Sequence, residues 1–155
     1  MLIAHRGNLN GPNPEFENTP FYIELALENY ACEVDLWVID KEKLLLGHDR
    51  PSILIQPSFL YRPTLFVHCK NREAFIYLSE LRQFLSLEEM PTYFFHDREE
   101  FVFTSRGHLW CYPSKKAIPY GINLMPEFNH LSPEALVGCM GICSDYIAQY
   151  SKDYL

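Results

Sequence analysis

Short apolar segments that carry charged or histidine residues are the feature of this chain that most limits its fold. Three of them stand in the first third of the chain, with the motifs His5-Arg6-Gly7, Glu33-Val34-Asp35 and His48-Asp49. Helical sequence separates the first two. Parallel strands that alternate with helices bring their carboxyl ends to one rim, which is where (β/α) barrels carry their chemistry. The pattern therefore predicts an α/β fold, a TIM-type (β/α) barrel with its polar side chains at one rim.

The remaining apolar and turn patterns predict the other elements of this barrel. We expect strands at 2–5, 32–39, 44–47, 64–69, 93–96, 121–125 and 141–144, a hairpin at 101–112, and helices at 20–30, at 71–85 and from 132. The interval from His96 to Trp110 leaves no room for a helix. The chain has 155 residues, whereas eight βα units usually take about 250. We therefore expect one domain over residues 1–155, a shortened barrel with trimmed or missing helices in its second half.

Glu33 and Asp35 are the strongest candidates for metal ligands. Side chains alternate along a strand, so these two carboxylates point to the same face. They repel each other unless a cation lies between them. Oxygen ligands suit one hard divalent ion, Mg²⁺ or Ca²⁺. The alternative is a salt-bridge network in which Arg6 and Lys70 neutralise the pair.

His68 and Lys70 are two residues apart and should share a face of the next strand. As a third ligand, His68 would shift the site towards Mn²⁺ or Zn²⁺. It could instead contact a ligand without reaching the ion. Lys70 needs an anionic partner, and either a substrate phosphate or Glu33 could supply it. The alternative for Lys70 is a structural ion pair.

His5 and His48 are the candidates for general acid–base catalysis, because the usual pKa of histidine lies near neutrality. The alternative is that each histidine only hydrogen-bonds a loop. Arg6, next to His5, has the fork geometry that binds two phosphate oxygens. For Arg6 the alternative is a surface salt bridge.

Other polar residues leave their roles open. Glu17 would either contact the metal site or stabilise a helix N-terminus. Trp110 is predicted to be in the core, and Tyr112 could form part of a wall for the substrate alcohol. Several residues that end predicted strands could supply a missing metal ligand: His96, Asp97, Glu127 and Asp145.

Composition excludes some classes of function. A net charge of −7 argues against nucleic acid as the main partner, which requires clustered Lys and Arg. The chain has no apolar run long enough to span a membrane, and its start in a predicted strand leaves no room for a signal peptide. Five cysteines without a CxxC pair indicate buried free thiols and a cytoplasmic protein. The sequence does not predict an oligomeric state.

Several motifs together resemble the glycerophosphodiester phosphodiesterase family. They are His5-Arg6-Gly7, Glu17-Asn18-Thr19-Pro20, Glu33-Val34-Asp35, His48-Asp49, and His68-Cys69-Lys70 in place of the family's Glu-x-Lys. Ser144-Asp145 is similar to the Thr-Asp pair that ends the family's last strand.

The resemblance implies a metal-dependent hydrolase of glycerophosphodiesters or other small or lipid-derived phosphodiesters. The metal would be held by Glu33, Asp35 and His68, and the phosphate would be bound by Arg6 and Lys70. His68 departs from the family glutamate. That departure and the short second half support the alternative, a weakly active or non-catalytic protein that binds a phosphorylated ligand on the same scaffold.

Overall fold

The computed structural model describes residues 1–40, 43–96 and 99–151. Its strands are β1 (Leu2–His5), β2 (Ala31–Ile39), β3 (Lys43–Leu46), β4 (Ile53–Ile55), β5 (Leu65–Cys69), β6 (Thr92–Phe94), β7 (Phe101–Phe103), β8 (Leu109–Cys111), β9 (Ile122–Leu124) and β10 (Gly141–Ser144). Its α-helices are α1 (Pro20–Leu27) and α2 (Arg72–Leu81). Short 3₁₀-helices cover Pro57–Leu60, Pro126–Asn129, Pro133–Leu136 and Ile147–Gln149.

All ten strands belong to one curled, mixed sheet. Seven of them run parallel, in the order β6-β5-β2-β1-β10-β9-β8. The long strand β2 pairs with β1 and β5, and its second half pairs antiparallel with β3, which in turn pairs with β4. β7 and β8 form the antiparallel hairpin that the sequence predicts. Parallel neighbours share the direction of their carboxyl ends, so this edge of the sheet collects the residues that follow the strands.

The prediction of a TIM-type (β/α) barrel is wrong. The described residues contain two α-helices, which follow β1 and β5, instead of one after each strand. Three strands are antiparallel to their neighbours, and no backbone ladder joins β6 to β8 in the described chain. The physical reason is that a short apolar run predicts a strand but does not specify its direction. The connection after β8 holds only turns and bends, and the connection after β9 holds two short 3₁₀-helices.

Alternation along the strands divides the core into two layers. The outer layer joins side chains such as Ala4, Cys32 and Val34 to the buried residues Ile23 of α1 and Leu78 of α2. The inner layer, inside the curl, consists of Ile3, Phe66, Phe94, Trp110, Ile122 and Cys143. Glu33 and Asp35 alternate with Val34, so they also face inward. The core position predicted for Trp110 is confirmed, and the described cysteines are all buried and free.

Both helices begin with a side-chain cap. Thr19 Oγ1 accepts a hydrogen bond from the backbone N–H of Tyr22, and Pro20 occupies the first turn, as the sequence predicts. Asn71 caps α2 in the same way. Helix α1 ends at Leu27, earlier than predicted. Its buried face holds Ile23 and Ala26, while Phe21 is 70% exposed.

Neither helix is a membrane span. Within the described ranges, every helix is too short or too polar to cross a bilayer.

Candidate functional site

A cleft of about 660 Å³ opens at the carboxyl ends of the parallel strands. Its lining includes His5, Arg6, His48 and Asp145. A smaller cavity of about 60 Å³ shares the first three of these and also contacts Glu33 and His68. The structure thus brings both catalytic candidates, His5 and His48, to one cleft that leads to the carboxylate cluster.

Asp35 is the most heavily contacted side chain of the site and is fully buried. Its Oδ1 lies 3.1 Å from His68 Nδ1 and 3.7 Å from Lys70 Nζ. Its Oδ2 lies 2.9 Å from Arg6 Nε and accepts a hydrogen bond of 3.0 Å from Asn18 Nδ2. Burial alone would raise the pKa of Asp35, but the hydrogen bond with His68 and the charge of Arg6 outweigh it and lower the pKa. Asp35 is therefore an anion in the folded protein.

Glu33 has a different environment, although it faces the same way. Its side chain is buried, and Oε2 has no hydrogen-bond partner among the described residues. Two histidines lie near it: His5 Nε2 is 3.9 Å from Oε2, and His68 Nδ1 is 4.0 Å from Oε1. Burial and the charge of Asp35 raise the pKa of Glu33. A buried carboxylate oxygen without a partner is a costly arrangement that a proton or a cation would relieve.

Glu33, Asp35 and His68 lie close enough together to form a metal-binding group. One ligand atom from each lies within 4.8 Å of the others. Two carboxylates and an imidazole are suitable donors, and the unpartnered Glu33 Oε2 fits a cation at this point. Asp35 fits less simply, because its oxygens already face Arg6, His68, Lys70 and Asn18, with which an ion would have to compete.

His5 forms a hydrogen-bonded pair with Asp145. His5 lies at the end of β1 and Asp145 directly follows β10, and the parallel pairing of these strands brings Nδ1 to 2.7 Å from Asp145 Oδ1. Asn8 Nδ2 donates to the same oxygen at 2.7 Å. Burial lowers the pKa of His5, but the hydrogen bond with Asp145 and the charge of Glu33 more than compensate, so the pKa is raised. The pair fixes the ring and leaves Nε2 directed towards Glu33.

His48 sits on a turn that the sheet holds in place. Trp37 Nε1 donates to the carbonyl of Gly47 at 2.8 Å, and the Gly47 N–H donates to the carbonyl of Asp35 at 3.1 Å. Gly47 has a φ of 141°, and a Cβ there would lie 2.8 Å from the carbonyl oxygen of Arg50, so glycine is required. His48 Nδ1 lies 2.7 Å from Asp49 Oδ1. Its ring is the more exposed of the two catalytic candidates.

The phosphate-binding candidates both face carboxylates. Arg6 contacts Asp35 and also Glu17, whose Oε2 lies 3.2 Å from Arg6 NH1. Lys70 lies beside Asp35. These contacts form the salt-bridge network that the sequence left open as an alternative for Asp35, while the ion pairs of the described residues join neither Arg6 nor Lys70 to Glu33. Glu17 does not cap the helix, since Thr19 does so, and it instead accepts hydrogen bonds from Arg6 and Asn8.

Sequence reasoning missed two asparagines that organise the site. Asn18 clamps Asp35 from both sides, accepting from its backbone N–H at 2.9 Å and donating to its side chain. Asn8 joins Glu17 to Asp145. Asn18 has a φ of 61°, a conformation that asparagine tolerates better than most residues. The sequence signal that could have identified Asn18 was its position between Glu17 and Thr19, the cap of α1.

The other residues that the sequence offered as metal ligands lie at different positions around the site. His96 stacks on His68 with ring centroids 4.3 Å apart, and burial followed by the charge of His68 lowers its pKa to about 4. Tyr112 lines the cleft and contacts His96 edge-on at 4.9 Å. Glu127 accepts a hydrogen bond from Ser144 Oγ. Asp97 lies outside the described residues.

Comparisons of the chain with protein family models, with characterised proteins and with solved structures gave no match.

Proposed function

We propose that this protein hydrolyses phosphodiesters of the small or lipid-derived class, including glycerophosphodiesters. One observation carries the proposal: two histidines from different strand ends, His5 and His48, line a single cleft that leads to buried carboxylates. Acid–base cleavage of a diester needs one proton acceptor and one proton donor at the same phosphorus. The sequence resemblance described above points to the same chemistry.

His5 is the proton donor in this proposal. Asp145 holds Nδ1, so Nε2 is the nitrogen that can reach a substrate. The hydrogen bond with Asp145 and the charge of Glu33 raise the pKa of His5, the direction that suits a donor to the leaving alcohol. His48 is then the acceptor: it takes a proton from water as the water oxygen bonds to phosphorus and the bond to the leaving alcohol breaks.

Arg6 and Lys70 provide positive charge next to the cluster. As charge builds on the phosphate oxygens, their attraction stabilises the transition state. A divalent ion held by Glu33, Asp35 and His68 would supply further neutralisation of a phosphate oxygen, with Mg²⁺ or Ca²⁺ favoured by the carboxylates and Mn²⁺ or Zn²⁺ by the imidazole.

A second candidate function is the binding of a phosphorylated ligand without turnover. The contacts of Arg6 and Lys70 with Asp35 favour it, because these side chains neutralise Asp35 without the metal ion that the hydrolysis would use. The two functions share a cleft but differ in their dependence on His48, which contacts no other part of the cluster in the described hydrogen bonds and ion pairs.

Hydrolysis of bis(4-nitrophenyl) phosphate and of a glycerophosphodiester tests the proposal. We expect turnover that a chelator abolishes and that a divalent ion restores. Activity that resists the chelator in protein free of metal by elemental analysis would remove the ion from the proposal. The absence of turnover with all four ions, combined with saturable binding of the diester, would establish the binding function instead.

Titration calorimetry with the metal ions alone tests the ligand set independently of activity. Neutral imidazole is a softer donor than carboxylate, so His68→Glu should shift preference towards Mg²⁺ or Ca²⁺ and weaken the pH dependence near neutrality. An unchanged metal ranking and pH profile would show that His68 is not a ligand.

A further inference from the structure

Trp37 follows Glu33 and Asp35 on the inward face of β2. These three residues alternate with Val34 and Leu36, whose side chains belong to the outer layer. The half-buried indole therefore extends the row of site residues towards the carboxyl end of the strand, where β2 pairs antiparallel with β3. Neither the sequence motifs nor the proposed reaction gives Trp37 a role.

The indole is bonded to the turn that carries His48. Its Nε1 donates to the carbonyl of Gly47 at 2.8 Å, and the Gly47 N–H donates to the carbonyl of Asp35 at 3.1 Å. Strand β2 thus holds both polar groups of Gly47, the N–H through its backbone and the carbonyl through the side chain of Trp37. The Gly47 carbonyl shares a planar peptide unit with the N–H of His48. The indole bond therefore fixes the plane from which His48 begins.

The ring of His48 has little else to orient it. In the hydrogen bonds and ion pairs of the described residues, its one polar partner is Asp49, whose side chain is 85% exposed. An ion pair with so exposed a carboxylate is weak. His5 differs, because its partner Asp145 is buried. The direction of the His48 ring in the cleft therefore depends on the backbone of its turn.

The other features of this turn shape it without tying it to the inward face of β2. The Ser52 N–H donates to the carbonyl of Leu46 at 3.2 Å, which closes the turn on itself. The left-handed φ of Gly47 sets its curvature. Across the described part of the chain, Trp37 is the one side chain that hydrogen-bonds to residues 47–52 from outside the turn.

We propose that Trp37 is a positioning residue for His48 and that it acts through the Gly47 peptide. The inference rests on the proposed function, in which His48 takes a proton from the attacking water. Proton transfer requires the acceptor at hydrogen-bond distance from that water, and a small displacement of such a group is costly to turnover. Trp37 itself is not among the described residues that line the cleft or the smaller cavity.

Trp37→Phe keeps an aromatic ring on β2 and removes the N–H donor. The kcat for bis(4-nitrophenyl) phosphate should fall about tenfold while KM stays unchanged. A purely structural role would lower the temperature of unfolding and leave the kcat of the folded protein unchanged. Ser79→Ala is the matched control, since it removes a side-chain bond to the carbonyl of Phe75 on α2 and should leave kcat unchanged. A kcat within about twofold of the wild type in folded Trp37→Phe would overturn the proposal.

A double-mutant cycle shows whether the effect passes through His48. His48→Ala removes the group that Trp37 positions, so the addition of Trp37→Phe should produce no further loss of rate. A further loss of about tenfold in the double variant would overturn the proposal. It would mean that Trp37 acts through Asp35, its neighbour on the inward face of β2.

Hydrogen exchange measured by NMR tests the indole bond without a substrate. In Trp37→Phe the Gly47 amide should exchange about three- to tenfold faster than in the wild type, and equal exchange would overturn the proposal. If Trp37→Phe fails to fold, the indole N–H of the wild-type chain decides. This proton should be protected, and exchange as fast as that of free tryptophan would overturn the proposal.

The outcomes also separate this inference from the proposed reaction. If the wild type fails to turn over diesters, the hydrolase is rejected, whereas faster Gly47 exchange in Trp37→Phe would still establish Trp37 as the residue that positions His48. Turnover by the wild type with an unchanged kcat in Trp37→Phe would reject the positioning role and leave the hydrolase.

Discussion

The first half of the chain (residues 1–81) and the second half (92–151) build the same sheet by different means. The first half covers its outer face with α1 and α2, while the described part of the second half covers its own with 3₁₀-helices. Burial is nevertheless equal: Leu78 of α2 and Leu136 of a 3₁₀-helix are both completely buried. A short turn can close a core as completely as a helix when an apolar side chain points at the sheet.

The halves also differ in how they treat charge. The first half supplies Asp35 together with the cations that neutralise it, Arg6 and Lys70. The second half supplies carboxylates with few cations: Asp145 depends on His5 from the first half, and Glu127 has no ion pair among the described residues. The first half therefore neutralises Asp35 with its own cations, although it leaves Glu33 Oε2 without a hydrogen-bond partner among the described residues, while Asp145 of the second half relies on a residue of the first.

The largest expected effect lies where the halves meet. His5→Ala should lower kcat/KM for a phosphodiester by about 10²–10⁴-fold, the range of general acid–base groups. The measurement is steady-state hydrolysis, and His130→Ala, at an exposed residue outside the cleft, is the matched control. A near-normal rate in folded His5→Ala would exclude this histidine from the reaction.

The internal neutralisation of the first half predicts a large stability effect. Asp35→Asn removes the buried charge that faces Arg6, Lys70 and His68, and should cost about 3–5 kcal/mol in the free energy of unfolding. Urea denaturation measures it. Asp49→Asn, at an exposed carboxylate, should produce no measurable change. A loss below about 1 kcal/mol for Asp35→Asn would mean that water solvates Arg6, Lys70 and His68, and that this network is not buried in solution.

The equal burial of the two outer layers leads to a paired prediction. Leu78→Ala and Leu136→Ala should each lower the free energy of unfolding by about 2–5 kcal/mol, the usual range for a buried leucine. Chemical denaturation of both variants under the same conditions is the measurement. If Leu136→Ala costs much less than Leu78→Ala, the second half is the more loosely packed and the equivalence of turn and helix fails.

The smallest expected effect concerns the ends of these elements. Thr19→Ala removes the side-chain cap of α1 and should cost about 1 kcal/mol in the free energy of unfolding. Ser132→Ala is the matched control, because Ser132 precedes a 3₁₀-helix without a side-chain cap bond. Thermal unfolding compares the two, and equal losses would contradict the role of the Thr19 cap.

Local patterns predicted most of the elements but not their arrangement. The strand Leu2–His5, the hairpin of β7 and β8, and the start of α2 directly after Asn71 all follow from short-range signals. The prediction of a TIM-type barrel was wrong, because strand direction and the pairing of β2 with both β1 and β5 depend on contacts between distant segments. The 3₁₀-helix at Pro126–Asn129 was also missed, since one turn carries no periodicity.

The same division applies to the candidate site. Strand alternation correctly placed Glu33, Asp35, His68 and Lys70 on one face, since that depends only on spacing. It could not show that Asn18 clamps Asp35, nor that Asp145 reaches His5 across 140 positions of the chain. Those contacts require the loop after β1 to fold back over β2 and β10 to lie beside β1.

The sequence by itself therefore determined which side chains can share a face, where the helices begin and which residues carry charge. These properties follow from local geometry that a few neighbouring residues fix. Only the tertiary structure decided that Asp35 is neutralised while Glu33 Oε2 and Glu127 Oε2 have no hydrogen-bond partner among the described residues, and that two histidines meet in one cleft. Partnership between buried charges depends on distances of a few ångströms between strands far apart in the chain, and spacing along the sequence does not encode those distances.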